Sequence, residues 1–355
     1  MNTFGTRLRL TTFGESHGKA MGGVIDGFPP GFKIDFAKLQ NELDKRRPGN
    51  SSLASQRNEE DIPEFLSGIS PDGITLGTPI GFIIPNKDQR SEDYKSFDNI
   101  YRPNHADYTY QIKYGIRDPR GGGRASARET VNWVTAGALA LQWLSEKGIE
   151  IHSFLSSVGD KEIPDLCRIL CHLKDSEDFR KEIFSTYSEI YPLMEKEISD
   201  ARKRGDSVGG KVSCIIFSLP PGIGDPVSDK LQASLAKMMM NINGAKGFEY
   251  GAGFDAVSAF GSQSADSFTL SENGDISTTT NFSGGIQGGI SNGMPIHFSV
   301  AFKPTPTINI PLSTINAEGD NCMLEAKGRH DPCIALRAVE VVKAMTAFTV
   351  MDLML

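Results

Sequence analysis

Strand patterns succeed one another along this chain with short turns between them, and a small number of long helical patterns interrupt them. Strands are predicted at 7–13, 22–28, 62–69, 79–84, 211–219, 252–260 and 295–302. Strands in hairpin-like succession, separated by long helices, favour an α+β sandwich over a doubly wound parallel sheet. This succession restricts the fold more than any single motif does.

Capping residues mark the starts of several predicted helices. Asp35 is predicted to cap a helix that runs to about Asp44. Ser126 and Glu129 match a capping box, in which each side chain would bond the free backbone amide of the other residue. Apolar residues at helical spacing follow this box. Further helical patterns lie within the charged segment 160–205, at 228–241 and at 333–354.

Charge and length restrict the class of protein. The 355 residues carry 37 Lys and Arg against 44 Asp and Glu, a formal charge of −7, which argues against bulk adhesion to nucleic acid or anionic membranes. No run approaches the ~20 apolar residues of a membrane span, and the N-terminal sequence lacks the apolar stretch of a secretory signal, so a cytoplasmic protein is expected. A prior of about 150 residues per domain favours two domains, with one large domain as the alternative.

The cysteines do not form a recognisable framework. There are five, an odd number, and none of them stand in a C-x-x-C pair. A disulfide framework or a structural zinc site is therefore disfavoured, and reduced thiols without a bound metal are expected. Cys167 and Cys171 lie four residues apart in a helical pattern, where a packed face is favoured over a ligand pair.

Positive charge is concentrated in loops although the chain is acidic overall. Five basic residues between 113 and 128 stand against one acidic residue. Arg124 and Arg128 lie one turn apart at a predicted helix start, where free backbone amides, the helix dipole and guanidinium groups favour binding of phosphate or carboxylate. Arg46, Arg47, Arg57, Arg102 and Arg329 also lie in loops rich in glycine and proline. The alternative is a solvated, partly ion-paired surface.

Two histidines lie in loops, where an imidazole that titrates near neutral pH can act as an acid or a base. His17 directly follows a predicted strand, and His105 lies in the string RPNHAD. His297 alternates with apolar neighbours and is expected to be a buried sheet residue. Asp331 is followed by Pro332, which matches a cap with proline at the first helical position, so the local pattern favours a capping role for Asp331.

Two glycine-rich segments approach nucleotide-binding motifs but lack the context of those motifs. The segment 205–212 has Val212 where a phosphate loop needs a Ser or Thr for magnesium, and it leads into a strand. The segment 284–289 lacks the order G-x-G-x-x-G and a surrounding strand–helix unit. Ser16 and His17 lack the G-x-S-x-G elbow of a hydrolase. All three interpretations are therefore disfavoured.

Six strings along the chain carry a resemblance to a known family. They are TTFGESHG (11–18), DKRRPG (44–49), RPNHAD (102–107), GGGRASARET (121–130), KPTPT (303–307) and GRHDPC (328–333). In this order they resemble the chorismate synthase family, over nearly the whole chain. The resemblance implies one domain over 1–355, a β-α-β sandwich with helices packed between antiparallel sheets, and a homotetramer.

The resemblance implies a specific reaction. Members of this family remove phosphate and a ring hydrogen from 5-enolpyruvylshikimate 3-phosphate to give chorismate, in the shikimate pathway that feeds aromatic amino-acid biosynthesis. They require reduced FMN, and because the hydrogen leaves an unactivated carbon, an electron-rich flavin that lends electron density gives a physical reason for the cofactor. The anionic groups of substrate and FMN would give the loop arginines their targets. No segment resembles an NADPH-linked flavin reductase, so an external reductant is expected.

The resemblance also implies roles for individual positions. His17 resembles the histidine that protonates the departing phosphate, and His105 resembles the one that protonates the anionic reduced flavin. Asp331, with Ser16, resembles the pair that relays a proton at flavin N5, which sets aside the local preference for a cap. The cofactor-contacting positions are Arg124, Ala125, Ser126, Asn243, Gly244, Gly288, Lys303, Pro304, Thr305, Pro306, Thr307 and Arg329. The substrate-contacting positions are Arg46, Arg102 and Arg128.

Two positions depart from the family pattern, and two other functions stay open. Ser52 stands where many members have an arginine, and Pro306 offers no backbone N–H in the flavin loop. The alternatives are another flavin-dependent phosphate lyase or reductase with the same anion site, and a non-catalytic RNA-binding module that uses the arginine loops. The net charge and the absence of aromatic residues between Arg117 and Arg128 argue against RNA.

Overall fold

The computed structural model describes residues 1–47, 59–87, 99–118, 121–173, 175–270, 274–325 and 331–355. Its strands are β1 (Thr3–Phe4), β2 (Arg9–Gly14), β3 (Ala20–Asp26), β4 (Glu64–Phe65), β5 (Ile80–Pro85), β6 (Glu150–Val158), β7 (Lys161–Glu162), β8 (Gly210–Phe217), β9 (Ala245–Tyr250), β10 (Phe268–Leu270), β11 (Ile276–Thr278), β12 (Ile286–Gln287), β13 (Ile290–Ser291), β14 (Ile296–Phe302), β15 (Leu312–Ile315) and β16 (Asn321–Leu324). Its helices are α1 (Phe36–Arg46), α2 (Asp107–Tyr114), α3 (Thr130–Ser145), α4 (Leu166–His172), α5 (Ser176–Lys203), α6 (Leu231–Met240) and α7 (Ala335–Met354).

The first large sheet comes from the N-terminal part of the chain. Its strand order is β1-β2-β3-β5-β4, and every pair is antiparallel. Along β2, Leu10 and Thr12 are buried while Thr11 and Phe13 are exposed. This alternation is typical of a sheet with one face on the core and one face toward solvent.

The second large sheet has the strand order β7-β6-β8-β14-β9, again entirely antiparallel. Its central strands β8 and β14 are buried along almost their full length. Their register pairs Phe298 with Cys214 and Val300 with Val212, so apolar side chains of neighbouring strands stack on the same face. Three two-stranded hairpins complete the described strands.

Helices α3 and α7 lie between the two sheets. On one side α3 contacts β2 and β3, and on the other side α7 contacts β6 and β8. The two helices approach closely at Gly137, where an added Cβ would lie 2.4 Å from the carbonyl oxygen of Ala344. The absence of a side chain at Gly137 permits this close packing. Within the described ranges, no helix combines the length and the apolar character that a membrane crossing requires.

The predicted architecture is confirmed, because helices pack between antiparallel sheets in an α+β sandwich. The predicted cap of α1 is also confirmed: the Asp35 carboxylate accepts hydrogen bonds from the backbone amides of Ala37 and Lys38, each at 3.0 Å. His297 is buried in β14, as predicted. Local side-chain patterns were therefore sufficient for these features.

The predicted capping box before α3 is wrong. Ser126 accepts from the backbone amide of Arg128 at 3.3 Å, and a 3₁₀ turn at Ala127–Glu129 precedes the α-helix. The carboxylate of Glu129 does not reach back to Ser126, since it accepts hydrogen bonds from Arg124 at 2.6 and 3.1 Å. A charge-assisted, two-point interaction with a guanidinium outcompetes a single bond to a backbone amide.

Two further expectations are wrong. Asp331 does not cap the last helix, which begins at Ala335 with Ile334 before it, because the Asp331 carboxylate accepts from Arg337 at 2.8 Å. The strand predicted at 252–260 is a 3₁₀ turn at Gly253–Ser258, and the strand of this region is β9. Gly251 and Gly253 adopt φ of +57° and +53°, which ends the extended backbone there.

Candidate active site

The turn after β2 places Ser16 and His17 side by side. The Ser16 Oγ lies 2.9 Å from Nδ1 of His17, and both residues are buried. The imidazole packs against Gly121, because a Cβ on that glycine would lie 2.5 Å from Cε1 of the ring. The glycine-rich loop before α3 therefore forms one wall of the His17 pocket.

Asp107 stands at the centre of a second group of side chains, together with Arg102, His105 and Arg117, which we call the Asp107 cluster. Arg102 donates to both carboxylate oxygens of Asp107 at 2.7 Å, and Arg117 lies 3.1 Å from Oδ1. Nδ1 of His105 is 3.0 Å from Asp107 Oδ1 and 3.0 Å from an Arg102 nitrogen. Arg102 also donates to the carbonyl of Gly121 at 3.2 Å, which joins this cluster to the wall of the His17 pocket.

The environment of the Asp107 cluster changes the pKa values of its members. Burial lowers the pKa of His105, and the charges of Arg102 and Lys303 act in the same direction, while Asp107 opposes them. Burial by itself would raise the pKa of Asp107, but hydrogen bonds from Arg102 and His105 outweigh it and hold that pKa well below its usual range. The carboxylate is therefore ionised at neutral pH, beside a histidine that is mostly neutral.

Asp61 is the shared partner of two arginines in a group that we call the Asp61 cluster, made of Arg46, Glu59, Asp61 and Arg128. Arg46 donates to Asp61 Oδ2 at 3.0 Å, Arg128 donates to Oδ1, and Glu59 lies 3.9 Å from Arg128. All four side chains are at most 3% exposed. Burial would raise the pKa of Asp61, but the two arginine charges lower it overall, so the cluster contains fixed charges.

Asn86 connects the His17 turn to the Asp61 cluster. Its Nδ2 donates to the carbonyls of Glu15 and Gly18 at 3.1 and 2.9 Å, on either side of His17 in the chain. Its Oδ1 accepts from Nε of Arg128 at 2.9 Å. One amide side chain thus fixes the position of the histidine turn relative to the buried arginines.

Asp331 joins the same network from the C-terminal side. Its Oδ2 accepts from Arg337 at 2.8 Å, and Nε of Arg337 donates to the backbone carbonyl of Arg46 at 3.4 Å. The hydroxyl of Thr305 donates to the backbone carbonyl of Asp331 at 2.6 Å. Contacts therefore run continuously from His105 through His17 and the Asp61 cluster to Asp331.

Arg124 lies half-buried beside this network. It donates to Glu129, to the hydroxyl of Thr12 at 2.7 Å and to the carbonyl of Gly14 at 3.2 Å. A cleft of about 570 Å³ opens here, and its lining includes His105, Asp107, Tyr110, Arg117 and the segment 121–125. The cleft brings Arg124 and His105 to one cavity.

Several of the predicted cofactor positions are linked to the glycine-rich loop and to the Asp107 cluster. Nδ2 of Asn243 donates to the carbonyl of Ala125 at 2.9 Å, and the backbone amide of Lys303 donates to Gly244 at 3.0 Å. The ammonium group of Lys303 donates to the carbonyl of Asn104. Thr307 is buried and Pro304 is exposed, with Pro306 between these extremes.

Not every predicted site residue joins the network. Gly288 lies in the turn between β12 and β13, and the backbone of that turn bonds to Leu231, with no hydrogen bond to the network in the described part of the chain. Arg329, Arg57 and Ser52 lie outside the described residues. The remaining predicted residues, among them Arg46, Arg102 and Arg128, are placed as described above.

The sequence analysis missed most of the acidic partners. Asp107 stands two residues after His105 in a quoted string and could have been noticed as a partner for it. Glu129 was noticed only as a cap. Asp61 carried no signal, because it is separated from Arg46 and Arg128 in the chain and its backbone adopts φ of +52° in an irregular segment. The described residues hold no group of three or more His, Cys, Asp or Glu side chains placed for a metal ion.

Comparison with known proteins gives one family. The sequence profile of the chorismate synthase family matches residues 8–355. The chorismate synthase of Parabacteroides distasonis is 50% identical over 100% of this chain and 98% of that protein, and the one of Christiangramia forsetii is 52% identical over 99% and 96%. A crystal structure of chorismate synthase superposes with a TM-score of 0.72 at 30% identity, covering 99% of this chain and 92% of that one.

Proposed function

This chain belongs to the chorismate synthase family, and from that premise we propose how its residues divide the work of the reaction. The enzyme uses reduced FMN to eliminate phosphate from 5-enolpyruvylshikimate 3-phosphate and so forms chorismate. The observation that carries the assignment of residues is the continuous line of contacts from His105 through His17 to Asp331.

The residues near the glycine-rich loop fit a flavin phosphate and a flavin ring. Oδ1 of Asn243 is buried and has no hydrogen-bond partner among the described residues, so it offers an acceptor to a ring N–H. Arg124, beside Glu129 in the cleft, and Lys303, at the Asn104 carbonyl, supply positive charge. We assign FMN contacts to these residues and to Ala125, Ser126, Gly244, Gly288 and the segment 303–307, with Arg329 outside the described residues. Reduced FMN held by these residues would supply the electron density that loss of phosphate from the substrate demands.

The Asp61 cluster is suited to hold the anionic groups of the substrate. The NH2 group of Arg128 is buried and has no hydrogen-bond acceptor among the described residues, although Glu59 lies 3.9 Å away. A buried donor without an acceptor is costly, and a phosphate or carboxylate oxygen would satisfy it. We assign Arg46 and Arg128 to substrate anions on this basis. Arg102 is the third proposed substrate ligand.

His17 is the proposed general acid for the departing phosphate. As the cation, His17 donates from Nδ1 to the Ser16 hydroxyl oxygen and can give its Nε2 proton to the departing phosphate, which leaves the neutral Nδ1–H tautomer. Burial of both side chains excludes bulk water as a competing proton source. Ser16 thus sets the tautomer of His17 in addition to its proposed relay role.

His105 and Asp331 are the other proposed proton-transfer residues. His105 lines the cleft and holds an exchangeable proton on its ring, which matches a role in setting the protonation of an anionic reduced flavin. Asp331, paired with Arg337, is held near the Arg46 backbone and is proposed to relay a proton together with Ser16. These roles come from position within the family strings and are supported by the shared contact network.

A direct assay tests this assignment. The purified chain would be incubated anaerobically with reduced FMN and 5-enolpyruvylshikimate 3-phosphate, and chorismate would be followed by its absorbance. We expect chorismate only when both compounds are present. Flavin binding without chorismate formation, in a sample that is folded by circular dichroism, would contradict the proposed roles.

We propose a homotetramer of single-domain chains over 1–355, in the cytoplasm. The large apolar side chains of segment 253–278 support self-association, since they are 66–87% exposed: Phe254, Val257, Phe260, Phe268, Leu270 and Ile276. One hydrophobic core that includes residues of both large sheets supports a single domain.

Light scattering coupled to gel filtration tests the assembly. Val257→Asp with Phe260→Asp is expected to lower the mass below that of the wild type, because charge would enter an apolar interface. Leu66→Asp, on an apolar residue elsewhere that is 60% exposed, serves as the control. A wild-type chain that elutes as a monomer at micromolar concentration would rule out the tetramer.

A further inference from the structure

Nδ1 of His105 lies between a hydrogen-bond donor and a hydrogen-bond acceptor. The NH2 group of Arg102 is 3.0 Å from this nitrogen, and Oδ1 of Asp107 is also 3.0 Å from it. These two groups are in addition bonded to each other at 2.7 Å. One ring nitrogen therefore has two partners with opposite requirements.

Each partner suits a different state of the ring. A guanidinium donates and never accepts, whereas an ionised carboxylate accepts and never donates. A neutral ring with its proton on Nε2 has a bare Nδ1, which accepts from Arg102. A ring with a proton on Nδ1, in the cation or in the other tautomer, donates to Asp107.

We propose that Arg102 and Asp107 are positioning residues that satisfy Nδ1 of His105 with or without a proton on it. The neutral Nε2–H ring can then take up a solvent proton at Nδ1, and the resulting cation can give its Nε2 proton to a group in the cleft, which leaves the neutral Nδ1–H ring in the same orientation. This inference rests on the proposed role of His105 as a proton-transfer residue. An imidazole with only one partner would lose a hydrogen bond at Nδ1 in one of its two states, and a buried polar atom left without a partner is costly.

The surroundings hold both partners in place. Nε and the backbone amide of Arg102 bond to Oδ2 of Asp107 at 2.7 and 3.1 Å, and its NH2 group also reaches the Gly121 carbonyl. Arg117 lies 3.1 Å from Oδ1 of Asp107 and is a further charged partner of this carboxylate. Side chains fixed in this way need no reorganisation when a proton moves.

The charged groups that face His105 are Arg102, Asp107 and Lys303, with Arg117 acting through Asp107. Burial lowers the pKa of His105 most, the two cations lower it further, and Asp107 raises it. Removal of Asp107 should therefore lower the pKa again, while removal of Arg102 should raise it. The tautomer gives an independent readout, because Asp107 favours a proton on Nδ1 and Arg102 favours a bare Nδ1.

Nitrogen-15 NMR of histidine-labelled full-length protein tests the proposal. The His105 pKa would be measured in the wild type, Asp107→Asn and Arg102→Gln, with Asp26→Asn as a control that removes an exposed carboxylate from an arginine pair. We expect a lower pKa in Asp107→Asn, a higher one in Arg102→Gln, and no change in Asp26→Asn. The Nδ1 and Nε2 shifts should also show a changed tautomer ratio in both cluster variants.

A double variant keeps the test possible if Asp107→Asn does not fold. Asp107→Asn combined with Arg117→Gln removes one charge of each sign and should retain the fold if the single variant does not, with the same direction of pKa change. An unchanged His105 pKa and tautomer ratio in all of these variants would overturn the proposal. If the pKa values shift as expected but His105→Ala retains wild-type turnover, the positioning pair stands and the proposed catalytic role of His105 fails.

Discussion

The Asp61 cluster and the Asp107 cluster are built from the same elements but in different surroundings. Each places one carboxylate between two arginines, and in each the arginine charges or hydrogen bonds keep the carboxylate ionised. The side chains of the Asp61 cluster are at most 3% exposed, whereas Asp107, His105 and Arg117 of the Asp107 cluster line a cleft and the cluster includes a titratable ring. The comparison teaches that one ionic arrangement can be a fixed buried charge in one place and, under the role proposed for His105, a support for proton transfer in another.

The difference also has an energetic side. A fully buried group of charges contributes little net stability, because the loss of hydration offsets the attraction, but removal of one member leaves the others uncompensated. At the edge of a cleft, water can replace a missing partner at lower cost. The two clusters should therefore respond differently to the same substitution.

The largest expected effect is on turnover, and it concerns His105 of the Asp107 cluster and the nearby His17, in contrast to histidines elsewhere. His17→Ala and His105→Ala should each lower turnover by roughly 10- to 10⁴-fold with the fold intact, as general acid–base groups do. Steady-state kinetics with saturating FMN would measure this, and His172→Ala, on an exposed residue of α4, is the control. Near-wild-type rates in both histidine variants would contradict their proposed proton-transfer roles, and with them the contrast drawn between the two clusters.

The second prediction compares the loss of stability when the carboxylate of each cluster is neutralised. Asp61→Asn should destabilise the protein by about 3–5 kcal/mol, since Arg46 and Arg128 would stay buried without their shared carboxylate. Asp107→Asn should cost less, because residue 107 and Arg117 line the cleft, where water can reach them. Urea unfolding followed by tryptophan fluorescence measures both. Equal losses of stability would show that the depth of burial does not distinguish the clusters.

The smallest expected effect concerns Arg124, whose side chain is 21% exposed, more than any side chain of either cluster. Arg124→Ala should weaken FMN binding about tenfold, or about 1.4 kcal/mol. It also strips a partner from Glu129, whose pKa burial already raises.

The double variant Arg124→Ala with Glu129→Gln separates these two effects. Glutamine removes the buried negative charge, so the urea midpoint should recover while the flavin affinity stays low. Flavin titration monitored by fluorescence would measure the affinity. Flavin affinity that is unchanged in both variants would remove Arg124 from the cofactor site.

The fold was largely predictable from local pattern, and the active site only in part. Period-two strands and the Asp35 cap depend on neighbours in the chain, so the sequence carries them directly. The roles of His17 and His105 followed from family strings, and contact between their loops required the structure. The Asp61 cluster was not predictable, since its residues meet only after the chain has folded and Asp61 has no local motif.

The errors have a common physical origin. Glu129 and Asp331 both stand where a helix cap is typical, and both carboxylates bond to an arginine side chain instead. A prediction from local sequence considers only the neighbouring backbone amides as partners for a carboxylate. In the folded chain, guanidinium groups from other positions compete for the same carboxylate. Acidic residues at helix starts near arginine-rich loops are therefore poor evidence for capping.

The position of Gly121 restricts which substitutions this enzyme can tolerate. Its α carbon faces the ring of His17, and its carbonyl oxygen accepts from Arg102, the neighbour of His105. A methyl group at residue 121 would collide with the imidazole of His17. Any backbone shift that relieved this collision would move the carbonyl oxygen away from Arg102, which contacts His105. The spacing of the two rings is thus set by a residue with no side chain, and alanine at this position should uncouple them while leaving every reactive group in the sequence.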